Sequence, residues 1–211
     1  NLRWVQAVGV TVLSPEYVRI GIPGKILFSD NGGSTWTECP INSTMSNNFQ
    51  TYQILHCSDP NNYHIAYAAT SDGILISYDY GKSWTKILSG RCTSIEEHPT
   101  KPATVYALLY DSNKKMTQFI LTNDYGKNWG LYPENNGWFQ IPANDQGKFN
   151  VWGGRIAVTP ASPDKVYVIL NEAYSDTSAS LKTYGFIGLY ISDNNGATWT
   201  RKNRKIGAPY N

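Results

Sequence analysis

Acids, aromatics and histidines are the residue types through which this chain can do chemistry, and they fall mostly in the polar stretches between its apolar runs. Hydrolysis of a glycosidic bond needs two carboxylates about 5 to 9.5 Å apart, one to protonate the leaving oxygen and one to attack or to activate water. Asp72, Glu134, Asp145, Glu172 and Asp176 are the acids placed to contribute. Trp138, Phe139, Trp152, Tyr174, Tyr184 and Phe186 make a second set, flanked by Asn, Asp and Gln. Such rings suit the apolar C–H face and hydroxyl rim of a sugar. They equally suit a protein partner, since Trp and Tyr lead interface hot spots, or the plain task of packing long loops down.

Other chemistries lack their residues. His56, His64 and His98 stand at strand edges or beside prolines, and no Ser or Cys occupies a nucleophile elbow, so acyl transfer is unsupported. Cys39, Cys57 and Cys92 have no metal-type spacing, and Gly32-Gly33 is not followed by the Lys-Ser/Thr of a phosphate loop. No metal and no other cofactor is expected. Three cysteines allow one disulfide with a thiol left over, or three buried thiols. Eighteen Lys plus Arg against 16 Asp plus Glu leave a net charge of +2 without blocks, which sets nucleic acid aside as a partner. No apolar run approaches the roughly 18 residues of a membrane span, so none is expected here. Asn1-Leu2-Arg3-Trp4 shows neither an initiator Met nor a signal-peptide pattern, so the chain is expected to begin inside a longer or processed protein.

The elements that must position these residues follow from composition and repetition. The 211 residues, 41% of them hydrophobic, can build a sizeable core; 15 Tyr, 7 Trp and 18 Gly with only 16% charged residues point to an all-β chain joined by tight turns. One pattern, Ser-x-Asp-x-Gly-x-Thr-Trp, recurs four times with variation: Ser29 to Trp36, Ser77 to Trp84, Thr122 to Trp129 and Ser192 to Trp199. Each copy follows an apolar stretch and precedes another short strand, so each is a hairpin turn. In it Asn31, Asp79, Asp124 and Asn194 accept from backbone N–H groups, the Gly supplies positive φ, and Trp36, Trp84, Trp129 and Trp199 cover the apolar side. These acids are therefore turn staples rather than catalysts. Upstream, Pro60, Pro99 and Pro160 each precede a Tyr by seven residues, marking a Pro turn that feeds a strand. The unit is strand A, Pro turn, strand B, variable loop, strand C, Asp-type turn, strand D.

These paired elements resemble the Asp-box (BNR-repeat) β-propellers, a group that includes sialidases, xyloglucanase-type glycoside hydrolases and sortilin-type receptor domains. Residues 153–199 are most similar to large secreted propellers of bacteria, often exported by the type IX route. The resemblance implies a propeller of four-stranded antiparallel blades at about residues 4–40, 52–90, 91–133 and 153–204, with insertions at 130–153 and 171–187. A closed four-bladed ring is one reading; a segment of a longer, about seven-bladed or double, propeller is the preferred one. It also implies that the B-to-C loops and D-to-A connections share the ligand face, away from the Asp-type turns. Xyloglucanase-type enzymes carry an essential Asp in a Thr-Asp-Ile-Gly-Gly loop, and Thr70-Ser71-Asp72-Gly73 is similar in position, which makes Asp72 the candidate catalytic acid. The interrupted Arg19-Ile20-Gly21-Ile22-Pro23 departs from the sialidase motif. The expected function is a secreted or cell-surface binding or display module for a polysaccharide or an extracellular protein, within a larger surface assembly. The alternatives are an endo-acting glycoside hydrolase and a sortilin-like peptide receptor.

Overall fold

A computed structural model describes residues 9–132, 136–141, 149–175 and 182–202. These form sixteen strands in four antiparallel groups. Blade 1 contains β1 (Gly9–Ser14), β2 (Tyr17–Ile22), β3 (Lys25–Ser29) and β4 (Thr37–Glu38). Blade 2 contains β5 (Thr51–His56), β6 (Ala66–Thr70), β7 (Gly73–Ser77) and β8 (Thr85–Ser89). Blade 3 contains β9 (Cys92–Glu97), β10 (Val105–Asp111), β11 (Met116–Thr122) and β12 (Gly130–Leu131). Blade 4 contains β13 (Phe149–Val158), β14 (Val166–Ser175), β15 (Lys182–Ser192) and β16 (Thr200–Lys202). The first strands β1, β5, β9 and β13 pack against one another in succession. Among the described residues no helix is long and apolar enough to cross a membrane.

Of the loop expected at 171–187, residues Asn171–Ser175 and Lys182–Ile187 are strand instead. Strand β14 continues to Ser175 and pairs with β15 down to Ser175–Lys182, with a register shift at Leu170/Asn171. A polar, Gly-containing stretch reads as loop, but pairing satisfies its backbone groups in a long hairpin instead. At the other insertion, β13 meets β11 in parallel at Met116–Val151, and the Thr117 hydroxyl donates to the Val151 carbonyl at 2.8 Å.

Three apolar clusters lie between the blades. Ile26 of blade 1 meets Ala66, Ala68, Leu75 and Trp84 of blade 2, while Ile65, Tyr67 and Ile76 of blade 2 meet Ile95, Ala107 and Ile120 of blade 3. Phe119 and Tyr106 of blade 3 meet Val168, Tyr190 and Trp199 of blade 4. Strand β6, Ala-Tyr-Ala-Ala-Thr, is buried at every position because both of its faces are covered, and small side chains let the neighbours approach. Cys39, Cys57 and Cys92 are buried in these clusters as free thiols.

Blade 1 differs on one flank. Its row Val10–Ile20–Leu27 corresponds in register to Ile54–Ala68–Leu75 of blade 2. The blade 2 row is buried, whereas Val10 is 58% and Val12 60% exposed, and Trp36, the counterpart of buried Trp84, is 40% exposed. At the opposite end Ile169 is 45% exposed. Among the described residues the four blades thus leave both end flanks uncovered and fit a partial propeller. Trp84→Ala is expected to cost about 3–5 kcal/mol as a buried aromatic deletion. Trp36→Ala should cost under about 1 kcal/mol in the same chain. Urea unfolding of both variants checks this, and equal losses would contradict the difference in burial.

Candidate functional site

The four repeated turns share one bonding scheme. In the second, the Ser77 hydroxyl donates to Asp79 Oδ1 at 2.7 Å and accepts from Gly81 N–H at 2.8 Å. Asp79 Oδ1 then accepts from Ser83 N–H at 2.8 Å, and Oδ2 from the Ser83 hydroxyl at 2.6 Å. Tyr80 and Gly81 turn the chain at φ 64 and 77, a region cheap for glycine. In the first and last copies an amide replaces the acid: Asn31 and Asn194 accept from Thr35 and Thr198 N–H and return an Nδ2–H to the same hydroxyls. Burial opposes ionisation of Asp124, but donors from Asn128, Thr122 and Lys127 outweigh it and pull the carboxyl down to about 2. With their oxygens so occupied, Asp79 and Asp124 hold the turns.

The opposite face gathers the B-to-C turns and the D-to-A connections. There Asp72, between β6 and β7, accepts from Ser46 N–H at 2.6 Å, from the Ser46 hydroxyl at 2.8 Å and from the Ser71 hydroxyl at 2.9 Å. Desolvation raises its pKa, and these donors with Lys86 more than reverse that, so the carboxyl lies below its usual range. This geometry ties the connection between blades 1 and 2 to the β6–β7 turn and keeps the acid ionised.

Among the described side chains, Trp138 and Phe139 join a cluster that does not include Trp152. Trp138 corrects the expectation of an exposed loop residue: it is 7% exposed, its indole N–H donates to the Thr117 carbonyl at 3.1 Å, and it packs edge-to-face on Trp199 at 4.8 Å. The connection folds back into the crevice between blades 3 and 4, where a large ring buries more apolar surface than at a loop tip. Phe139 is half-buried against the same cluster, and Phe186 is half-buried on β15. Tyr174 and Tyr184 belong to the β14–β15 hairpin, but their side chains lie outside the described residues, as do Glu134, Asp145, Glu172 and Asp176.

Trp152 remains on the loop face, 44% exposed. It shares a contact with two residues that the sequence did not single out. The Arg91 guanidinium carbon lies over the Tyr52 ring at 5.0 Å and over the Trp152 ring at 5.8 Å. The three residues come from the first-strand regions of blades 2, 3 and 4, so one residue per blade builds a ladder across the face. Tyr110 N–H donates to the Arg91 carbonyl at 2.8 Å, and the Tyr110 hydroxyl donates to Asn150 Oδ1 at 3.2 Å, which anchors both ends of the Arg91–Trp152 step. Aligning the units on strand A puts Arg91 and Trp152 at one position, four residues before Ile95 and Ile156, with Tyr52 two residues before Ile54.

A model of the BNR/Asp-box repeat matches residues 190–201, which span the last of the four turns. Comparison with curated protein sequences gives no match. Among solved structures the chain is similar to an ancestral GH74 enzyme, at 18% identity and TM-score 0.63, covering 94% of this chain and 24% of that one. It is similar to the GH74 xyloglucanase from Xanthomonas campestris, at 14% identity and TM-score 0.58, covering 88% and 28%. It is also similar to the extracellular domain assigned to a hybrid two component system of B. thetaiotaomicron, at 11% identity and TM-score 0.60, covering 96% and 25%. The chain spans about a quarter of the length of these structures, and at such identities the likeness is one of fold.

The turn chemistry has a measurable pH signature. An unfolded aspartate titrates near about 3.9, so a carboxyl held lower in the fold stabilises it above that pH. That stability is lost as pH falls through the folded value, about 2 for Asp124. Asp124→Asn, which copies the first and last turns, is expected to keep neutral-pH stability within about 1 kcal/mol. Its loss of stability between about pH 4 and 2 should be shallower than in the parent. Urea midpoints at stepped pH test this; an unchanged acid slope would remove the carboxylate from the account.

Proposed function

We propose, on the premise that these are consecutive blades of an Asp-box β-propeller, that the chain is a rigid display surface in an extracellular protein that binds carbohydrate through its loop face. The observation that carries this reading is the ladder of Tyr52, Arg91 and half-exposed Trp152, to which three blades contribute one residue each. Aromatic faces stack on the C–H face of a sugar, and the neighbouring Asn150 and Arg91 supply polar contacts at its rim. Side chains held on packed strands lose little freedom on binding, so the contacts are not offset by ordering costs. The reading is in keeping with the nature of the similar folds, two of them GH74 enzymes and one an extracellular domain.

Asp72 has a positioning role in this proposal. Three donors already occupy its carboxylate, and its low pKa is unlike the raised value that a general acid requires. The two roles separate in experiment. With the full-length protein, Trp152→Ala should weaken retention on a polysaccharide by about 1–3 kcal/mol while leaving the unfolding midpoint in place. Unchanged retention in affinity electrophoresis would move the site elsewhere. Any release of reducing ends from β-glucan or xyloglucan should survive Asp72→Asn; a drop of about 10²-fold or more would instead make Asp72 part of a hydrolase.

A further inference from the structure

The ladder carries more information than a neutral sugar needs. Arg91 sits in a row of aromatic rings, yet no carboxylate among the described residues pairs with it. Its Nε is out of contact with solvent and has no hydrogen-bond partner. Such a group is costly to leave unmatched. With the guanidinium carbon over two rings and Nε shielded, the terminal Nη1 and Nη2 edge is the way to approach it. That edge is a planar fork of N–H donors, the shape that a carboxylate meets with two parallel charge-assisted bonds.

We infer that the loop face recognises an acidic oligosaccharide, a chain of uronic acid units, with Arg91 taking a ring carboxylate while Tyr52 and Trp152 stack on the sugar rings. This rests on the carbohydrate reading above and narrows it to a charge class. Two features favour a chain over a single terminal sugar: the ladder runs across three blades, and both of its ends carry a ring. Asn150, held by the Tyr110 hydroxyl, adds a polar group beside Trp152 for a hydroxyl of the next unit.

The test uses the full-length protein and two probes with the same sugar backbone, tetragalacturonate and its uncharged, fully methyl-esterified form, in isothermal titration at low and high salt. The free acid should bind at least about tenfold more tightly at low salt, and the margin should shrink as salt screens it. Arg91→Gln should abolish the margin, so that acid and ester bind the variant alike, and Arg91→Lys, which keeps the charge but loses the fork, should restore only part of it. Thermal unfolding of each variant verifies that the blades remain assembled. Equal binding of acid and ester by the parent protein, or a margin that survives Arg91→Gln, would overturn the inference and leave the carbohydrate reading standing. Binding of neither probe, together with unchanged polysaccharide retention in Trp152→Ala, would overturn both.

Discussion

A four-stranded blade has two apolar flanks and can bury neither by itself, so every turn and strand in this molecule depends on packing of one blade against the next. The repeated turn is shaped for that contact. Its glycine serves the backbone at positive φ, and it also clears space for the neighbour: a Cβ at Gly196 would stand 2.2 Å from the Phe119 ring, and one at Gly126 would stand 2.8 Å from Tyr67. The tryptophan that closes the turn then fills the crevice, fully in Trp84 and Trp199 and partly in Trp129. Blade 1 has the same turn and the same tryptophan with no described blade before it, and there the indole is left half-exposed.

The same contact is reinforced from strand B, where one position per blade reaches into the following turn. Arg19 donates through Nε to the Tyr80 carbonyl at 2.8 Å, and the Tyr106 hydroxyl donates to Asn195 at 2.7 Å. Tyr67 fills the equivalent slot against the Gly126 turn with its ring. The arginine is the costly variant. Burial pulls its pKa down, Asp30 restores part of the loss from 3.5 Å, and Nη2 stays outside hydrogen-bond geometry. Replacing a tyrosine slot by arginine exchanges apolar burial for bonds to the Tyr80 and Ser29 carbonyls and an ion pair with Asp30, at a desolvation cost that tyrosine does not incur.

What was legible in the sequence was the part written in short-range chemistry. A turn that needs an acceptor at one place, a glycine two residues later and a ring at its end declares itself in eight residues, and four such turns disclose the blades. What was not legible depends on residues far apart in the chain. Trp138 stands among Asn, Gly and Gln, as an exposed loop aromatic would; only the open crevice beside Thr117 and Trp199 explains its burial. Tyr52 and Arg91 carry no local signal at all, because their meaning lies in being stacked from separate blades. The long β14–β15 hairpin was hidden because its polar residues obey pairing rather than propensity.

The three cysteines add something apart from binding. Burial pushes the thiols of Cys39 and Cys57 up to about 11 and that of Cys92 up to about 12, so none is a ready nucleophile while the blades are closed. Cys39 lies in the seam between blades 1 and 2, whereas Cys57 and Cys92 lie in the seam between blades 2 and 3. These two seams therefore each contain a native reporter, and alkylation under EX2-like conditions would rank the free energies with which they open, with no engineered probe and no change to the surface.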